Sequence, residues 1–162
     1  MGEDPPQGGP GPGIEITVIR DRATTRLPLG ERRIRALAAY ALARESVHHA
    51  ALSFSFVGQR RIAIVHRRLT GVPGPTDIVT LQHVRWHSGA PVVGEIWIAP
   101  EVARDNARAL GTTLVEECRR LVVHGVLHAL GWEHPVGDGR EQSPMWRRQE
   151  RLLRDAARRG IA

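Results

Sequence analysis

His124-Gly125-Val126-Leu127-His128-Ala129-Leu130-Gly131-Trp132-Glu133-His134 sets three histidines at the spacing of a single metal site. Residues four apart in an α-helix project from one face, so His124 and His128 stand together, one turn apart. Gly131 ends that helix, because glycine accepts the left-handed conformation through which a chain doubles back. His134 can then return as a third nitrogen donor from outside the helix. A bare histidine pair on an apolar helix is commonly a hydrogen-bonded core pair. Here every other residue from Leu121 to Leu130 is apolar or glycine, so the helix reads as buried nearly all round. Imidazoles placed there need partners, and one ion satisfies several at once. Three protein donors with a fourth corner left open make the catalytic zinc pattern, whereas structural zinc sites fill all four. One zinc ion held by His124, His128 and His134 is therefore expected.

The residue after the first histidine decides the chemistry. The ligand spacing matches the H-E-x-x-H-x-x-G-x-x-H signature of metzincin proteases, whose glutamate is the general base of peptide hydrolysis. That position is Gly125, which cannot accept a proton. The ligand geometry survives and the protease base does not.

Outward from this motif, the 162-residue chain is long enough for one domain with a real core. Alternation predicts strands over Ile14–Ile19 and Ala50–Val57, and a helical pattern covers Glu31–Ala43 between them. Gln59–Leu69 is short and arginine-heavy, and it is read as helix. Thr70–Pro75 is read as a loop, Asp77–Leu81 as a strand and Gly94–Ala99 as a fourth strand, with Pro100 where a helix can begin. Thr113-Leu114-Val115-Glu116 is a capping-box pattern that starts a helix running to Leu130 with the first two histidines. A last helix spans Ser143–Arg158. The expected class is α+β: a mixed, roughly four-stranded sheet packed by helices, with a zincin-like metal helix. Residues 1–13 hold four prolines and five glycines and read as a disordered tail before a single domain at 14–162.

Composition narrows the setting. No stretch has the pattern of a signal peptide or membrane span, so a cytoplasmic protein with no membrane partner is expected. The one cysteine, Cys118, rules out an internal disulfide framework, fits a reducing compartment and reads as core filler; no disulfide-linked partner is expected. All 23 basic residues are arginine, against 17 acids, for a net charge of +6. Arginine's planar fork suits phosphate, so the surface is compatible with RNA, although genomic base composition explains the absence of lysine equally well.

Four segments together resemble the YbeY family of ribosomal-RNA maturation endoribonucleases. His124, Gly125, Leu127, His128, Gly131, Trp132 and His134 meet its H-G-x-L-H-x-x-G-[YW]-x-H motif, glycine included. Pro75-Thr76-Asp77-Ile78-Val79-Thr80-Leu81 is similar to its P-T-D-V-L-S-F segment, and Gly94-Glu95-Ile96-Trp97-Ile98 to its G-D-I-x-I strand. Met145, Gln149-Glu150 and Leu152-Leu153 resemble its closing helix. The resemblance implies a zinc-dependent nuclease of single-stranded RNA, acting near the small-subunit 3′ end and in ribosome quality control. Ribosomal RNA, the ribosome or its small subunit, and ribosome-associated proteins are the implied partners. One position departs: where family members often carry a phosphate-contacting arginine, this chain has Thr70, and an upstream asparagine is replaced by His66. Arg67 and Arg68 lie close by, and with Thr70 they are the candidate RNA contacts. Glu133 and Asp77 are candidate proton carriers or supports of the ligands. Two other readings stay open: an RNA- or ribosome-binding assembly factor with structural zinc, and a metalloprotease with a remote carboxylate base.

Overall fold

The computed structural model describes residues 13–85 and 87–161. The expected tail at 1–13 lies outside them except for Gly13.

Among the described residues, four strands form one mixed sheet: β1 (Ile14–Arg20), β2 (Ala50–Phe56), β3 (Ile78–Gln82) and β4 (Val92–Ile98). Their order is β1-β2-β4-β3, with β1, β2 and β4 parallel and β3 antiparallel at the edge. The helices are α1 (Glu31–Arg44), α2 (Gln59–Thr70), α3 (Pro100–Ala109), α4 (Leu114–Ala129) and α5 (Pro144–Arg158). The expected α+β class with a single mixed sheet is what the chain forms.

Period-two burial explains the layers. Leu52, Phe54 and Phe56 of β2 and Val92, Ile96 and Ile98 of β4 face one side and are buried against residues of α1, α4 and α5. A smaller cluster of Val57, Ile62, Val79 and Ala99, joined by Trp97, lies where α2 packs. Val79 and Trp97 are register partners, and neither shares the face of Ile96 and Ile98.

Helix α4 is the central element, in contact with α1, α3, α5, β3 and β4. Its start is a complete capping box: the Thr113 hydroxyl accepts from the Glu116 amide, and the Glu116 carboxylate accepts from the Thr113 amide. Two glycines let it lie close on the sheet. A Cβ on Gly125 would stand 2.7 Å from Ile96 Cγ2, and one on Gly94 would stand 2.9 Å from the Ala129 Cβ.

Small differences from the sequence expectations have local causes. Thr70 belongs to α2 and not to the loop, because its hydroxyl donates to the His66 carbonyl at 2.7 Å and Gly71 makes the left-handed turn at φ 76°. Strand β3 begins at Ile78, one residue late; Asp77 accepts from the Ala99 amide through its carbonyl, beyond the ladder. Strand β4 begins two residues early, since Val92 pairs with Ala50. Past the histidine motif, a 3-10 turn at Arg140–Gln142 had no counterpart in the periodicity.

Candidate metal centre

Helix α4 holds His124 and His128 over the sheet, and its end aims the third histidine. Gly131 has φ 89°; its amide donates to the His128 carbonyl, and the Trp132 amide donates to the Leu127 carbonyl. This paired closure satisfies the last carbonyls of the helix and turns the chain back on itself. Trp132 also donates from Nε1 to Glu45 Oε2 at 3.3 Å, and Glu45 in turn is ion-paired with Arg148. The turn that carries His134 is thereby tied to the end of α1 and to α5.

The three rings converge through Nε2. His134 Nε2 stands 3.2 Å from His128 Nε2 and 3.4 Å from His124 Nε2, and one ligand atom from each residue fits within 4.8 Å of the others. The far nitrogens are engaged elsewhere. His124 Nδ1 lies 2.8 Å from Gln149 Oε1 and His134 Nδ1 lies 2.8 Å from the Pro135 carbonyl, so each donates its proton outward. Donation at Nδ1 fixes the tautomer and leaves the Nε2 lone pair facing the cluster. A hydrogen bond to the Trp132 backbone also orients His128.

Burial and charge favour the neutral form of His124 and His128. Desolvation, then the neighbouring His128, pushes the His124 pKa down to about 3, against an ordinary value of 6.5. The His128 pKa is lowered by desolvation and then by the neighbouring His134. Neutral imidazoles are the form that binds a metal, and the cluster fits an ion of the zinc type in donor chemistry and convergence.

The histidines open into a cleft of about 510 Å³, walled by Thr76–Gln82 on one side and reached by His66, Leu69 and Thr70 of α2. Asp77, Glu133 and Arg140 also line it. Asp77 Oδ2 accepts from Asn106 Nδ2 at 3.0 Å, and its Oδ1 accepts from Thr76 Oγ1 at 3.3 Å. Glu133 is exposed. Of the candidate RNA contacts, Thr70 lines the cleft, while Arg67 and Arg68 are exposed on the last turn of α2 and outside its lining. His66 closes the loop after α2 through Nδ1 and the Gly74 carbonyl, 2.9 Å apart. Cys118 takes no part: it is buried in the core, where desolvation pushes its thiol up to about 12.

Two residues escaped the sequence reading as site residues. Gln149 was visible only as part of the closing helix, and its bond to His124 spans 25 residues. Arg140 follows the ligand turn and is joined to it by no motif.

Known proteins resemble the chain along most of its length. The family model described as Endoribonuclease YbeY matches residues 20–157. An endoribonuclease YbeY of Beutenbergia cavernae is 36% identical over 126 residues, covering 73% of this chain and 83% of the relative. One of Thermobifida fusca is 34% identical over 135 residues, covering 78% and 86%. The solution structure of TM1509 from Thermotoga maritima shares the fold, with a TM-score of 0.57 at 20% identity over 86% of this chain and 87% of that one. With its glycine-bearing histidine motif set on a fold of this kind, the chain belongs to the YbeY family of endoribonucleases.

Proposed function

We propose that this chain is a zinc-dependent endoribonuclease that cuts single-stranded ribosomal RNA in the cytoplasm, in small-subunit 3′-end maturation and ribosome quality control. The observation that carries the reading is the convergence of three histidines in an open cleft, with Gly125 where a protease of this ligand spacing has its base. Family membership supports the endonuclease half of it.

His124, His128 and His134 would hold the ion through Nε2. When bound, zinc supplies Lewis acidity for the attack of water on a phosphodiester and for the charge that develops on the phosphoryl oxygens. The protein's residues do the rest. Gln149 and the Pro135 carbonyl keep two imidazoles in the ligating tautomer. Glu133 is the carboxylate free to carry a proton at the cleft mouth, because both oxygens of Asp77 already accept hydrogen bonds. Thr70 lines the cleft with its hydroxyl already donating to the His66 carbonyl, and Arg67 and Arg68 sit on the same helical turn to meet the RNA backbone.

Gly125 argues against the protease reading on steric grounds as well as chemical ones. Its missing side chain would run into Ile96 and Ile78 of the sheet, so no base can be housed there without lifting α4. The ribosome-binding reading with structural zinc draws its support from Thr70, where a cationic contact is lacking.

The test is to incubate the zinc-loaded protein with single-stranded and duplex fragments of the small-subunit RNA 3′ end, and separately with an unfolded polypeptide. Selective cutting of the single strand, lost in His124→Ala together with the zinc, is the expected result. Cutting that survives loss of the ion, or peptide cleavage with RNA intact, would overturn the proposal.

A further inference from the structure

Arg140 is the one arginine among the described residues lining the histidine cleft. Three observations describe its setting. Its Nε is buried without a hydrogen-bond partner among the described residues, as is that of Arg119 outside the cleft. Among the described residues it forms no ion pair, whereas the half-buried Arg120 is paired with Glu117 and Arg148 with Glu45. Its guanidinium carbon lies 5.8 Å from the centre of the Trp146 ring, which Arg120 also approaches, at 5.6 Å.

The side chain stands between two hollows. Besides the histidine cleft it lines an adjoining cavity of about 580 Å³, shared with Arg120, Gly139 and Trp146. Asp77, Glu117 and Glu141 attract this partly buried guanidinium but none forms an ion pair with it, so its burial is only partly offset, and stacking on an indole recovers a further fraction. Its planar fork matches two oxygens of a phosphate. Thr70, which also lines the cleft, brings no charge to it.

We propose that Arg140 is the cation that receives a phosphate of the RNA strand in this cleft, the part that Thr70 cannot play, with Trp146 as the surface that positions it. The assignment rests on the reading of the chain as an RNA-cutting enzyme. The phosphate contact can be measured apart from the cutting.

Binding of a cleavage-resistant 2′-O-methyl phosphorothioate strand to the zinc-loaded protein is followed across a salt series for wild type, Arg140→Gln and, as an equal charge change elsewhere, Arg32→Gln. Loss of one single-strand phosphate contact lowers the slope of log affinity against log salt by about 0.7. Arg140→Gln should show that drop and at least a tenfold weaker affinity, with zinc content unchanged, while Arg32→Gln stays close to wild type. Cleavage of an ordinary strand should slow at least tenfold in Arg140→Gln and recover in part when Thr70→Arg is added. A wild-type affinity and slope in Arg140→Gln overturn the proposal whether or not the protein cuts RNA. Arg140-dependent binding without any cutting by wild type would sink the endonuclease reading and leave this contact standing. A second measurement needs no variant: the bound strand should shield Arg140 of wild type from an arginine-selective dicarbonyl reagent. Equal modification with and without RNA contradicts the assignment.

Discussion

Gln149 takes the Nδ1 proton of His124 into a 2.8 Å hydrogen bond, and both side chains are buried. This contact joins the closing helix to the first histidine of the cluster and decides which of its nitrogens faces the other two. Supports of this kind typically matter 10–100-fold in metal affinity. Gln149→Leu, near in size but without an acceptor, should weaken zinc binding by about that range, read by competition with a chelating dye. Affinity equal to wild type would mean that the ligand orients itself.

Gly125 is a packing requirement as much as a missing base. Ala at 125 gains about 1 kcal/mol of helix propensity, but its Cβ would meet a branched methyl of Ile96 at 2.7 Å. Overpacking of that kind costs about 1–3 kcal/mol, so a net loss of up to about 2 kcal/mol is expected in urea unfolding. The loss should shrink in an Ile96→Ala background, where the obstructing methyl is gone.

Stripping the metal should make the protein acid-sensitive. His124 protonates near 6.5 when unfolded and near 3 when folded, so between those values the unfolded chain binds more protons. Stability of the stripped protein therefore falls as pH drops from 6.5 towards 3, by about 1.4 kcal/mol per unit for each histidine so suppressed. His128 adds in the same direction. Denaturation of chelator-treated protein at pH 7 and 5 reads the effect; a flat profile would contradict the burial of neutral imidazoles.

The capping box of α4 gives the opposite group and another window. Hydrogen bonds from the Thr113 amide and from the hydroxyls of Thr112 and Thr113 pull the Glu116 pKa down to about 2 from 4.5. A depressed carboxylate stabilises fully above its unfolded value and loses that contribution as pH falls through its folded value. The gap in melting temperature between wild type and Glu116→Ala should be widest above pH 5 and narrow from 4.5 towards 2. Thr113→Ala, which removes the reciprocal acceptor, should cost about 1 kcal/mol.

Local signals carried much of this. The i, i+4 pair, the terminating Gly131 and the Thr113–Glu116 box are short-range patterns, and each appears in the structure where the residues put it. The strands of β2 and β4 alternate cleanly because one face is buried and the other is not. What stayed hidden depends on distant partners. Gly125 reads as an absent base until Ile96 is seen beneath it, and Gln149 reads as a helix residue until α5 folds onto α4. Arg140 sits in a 3-10 turn without periodicity, so nothing marked it among the other arginines.

If three histidines hold one ion and that ion drives RNA cleavage, cutting must follow zinc occupancy. The decisive measurement is a titration of zinc into chelator-stripped protein, with cleavage of a single-stranded ribosomal-RNA fragment followed at each addition. No cutting without metal, a rise that saturates at one zinc per chain, and neither binding nor cutting in His124→Ala are expected. Cutting at full rate before any zinc is added, or one bound equivalent that leaves the RNA intact, would contradict that dependence.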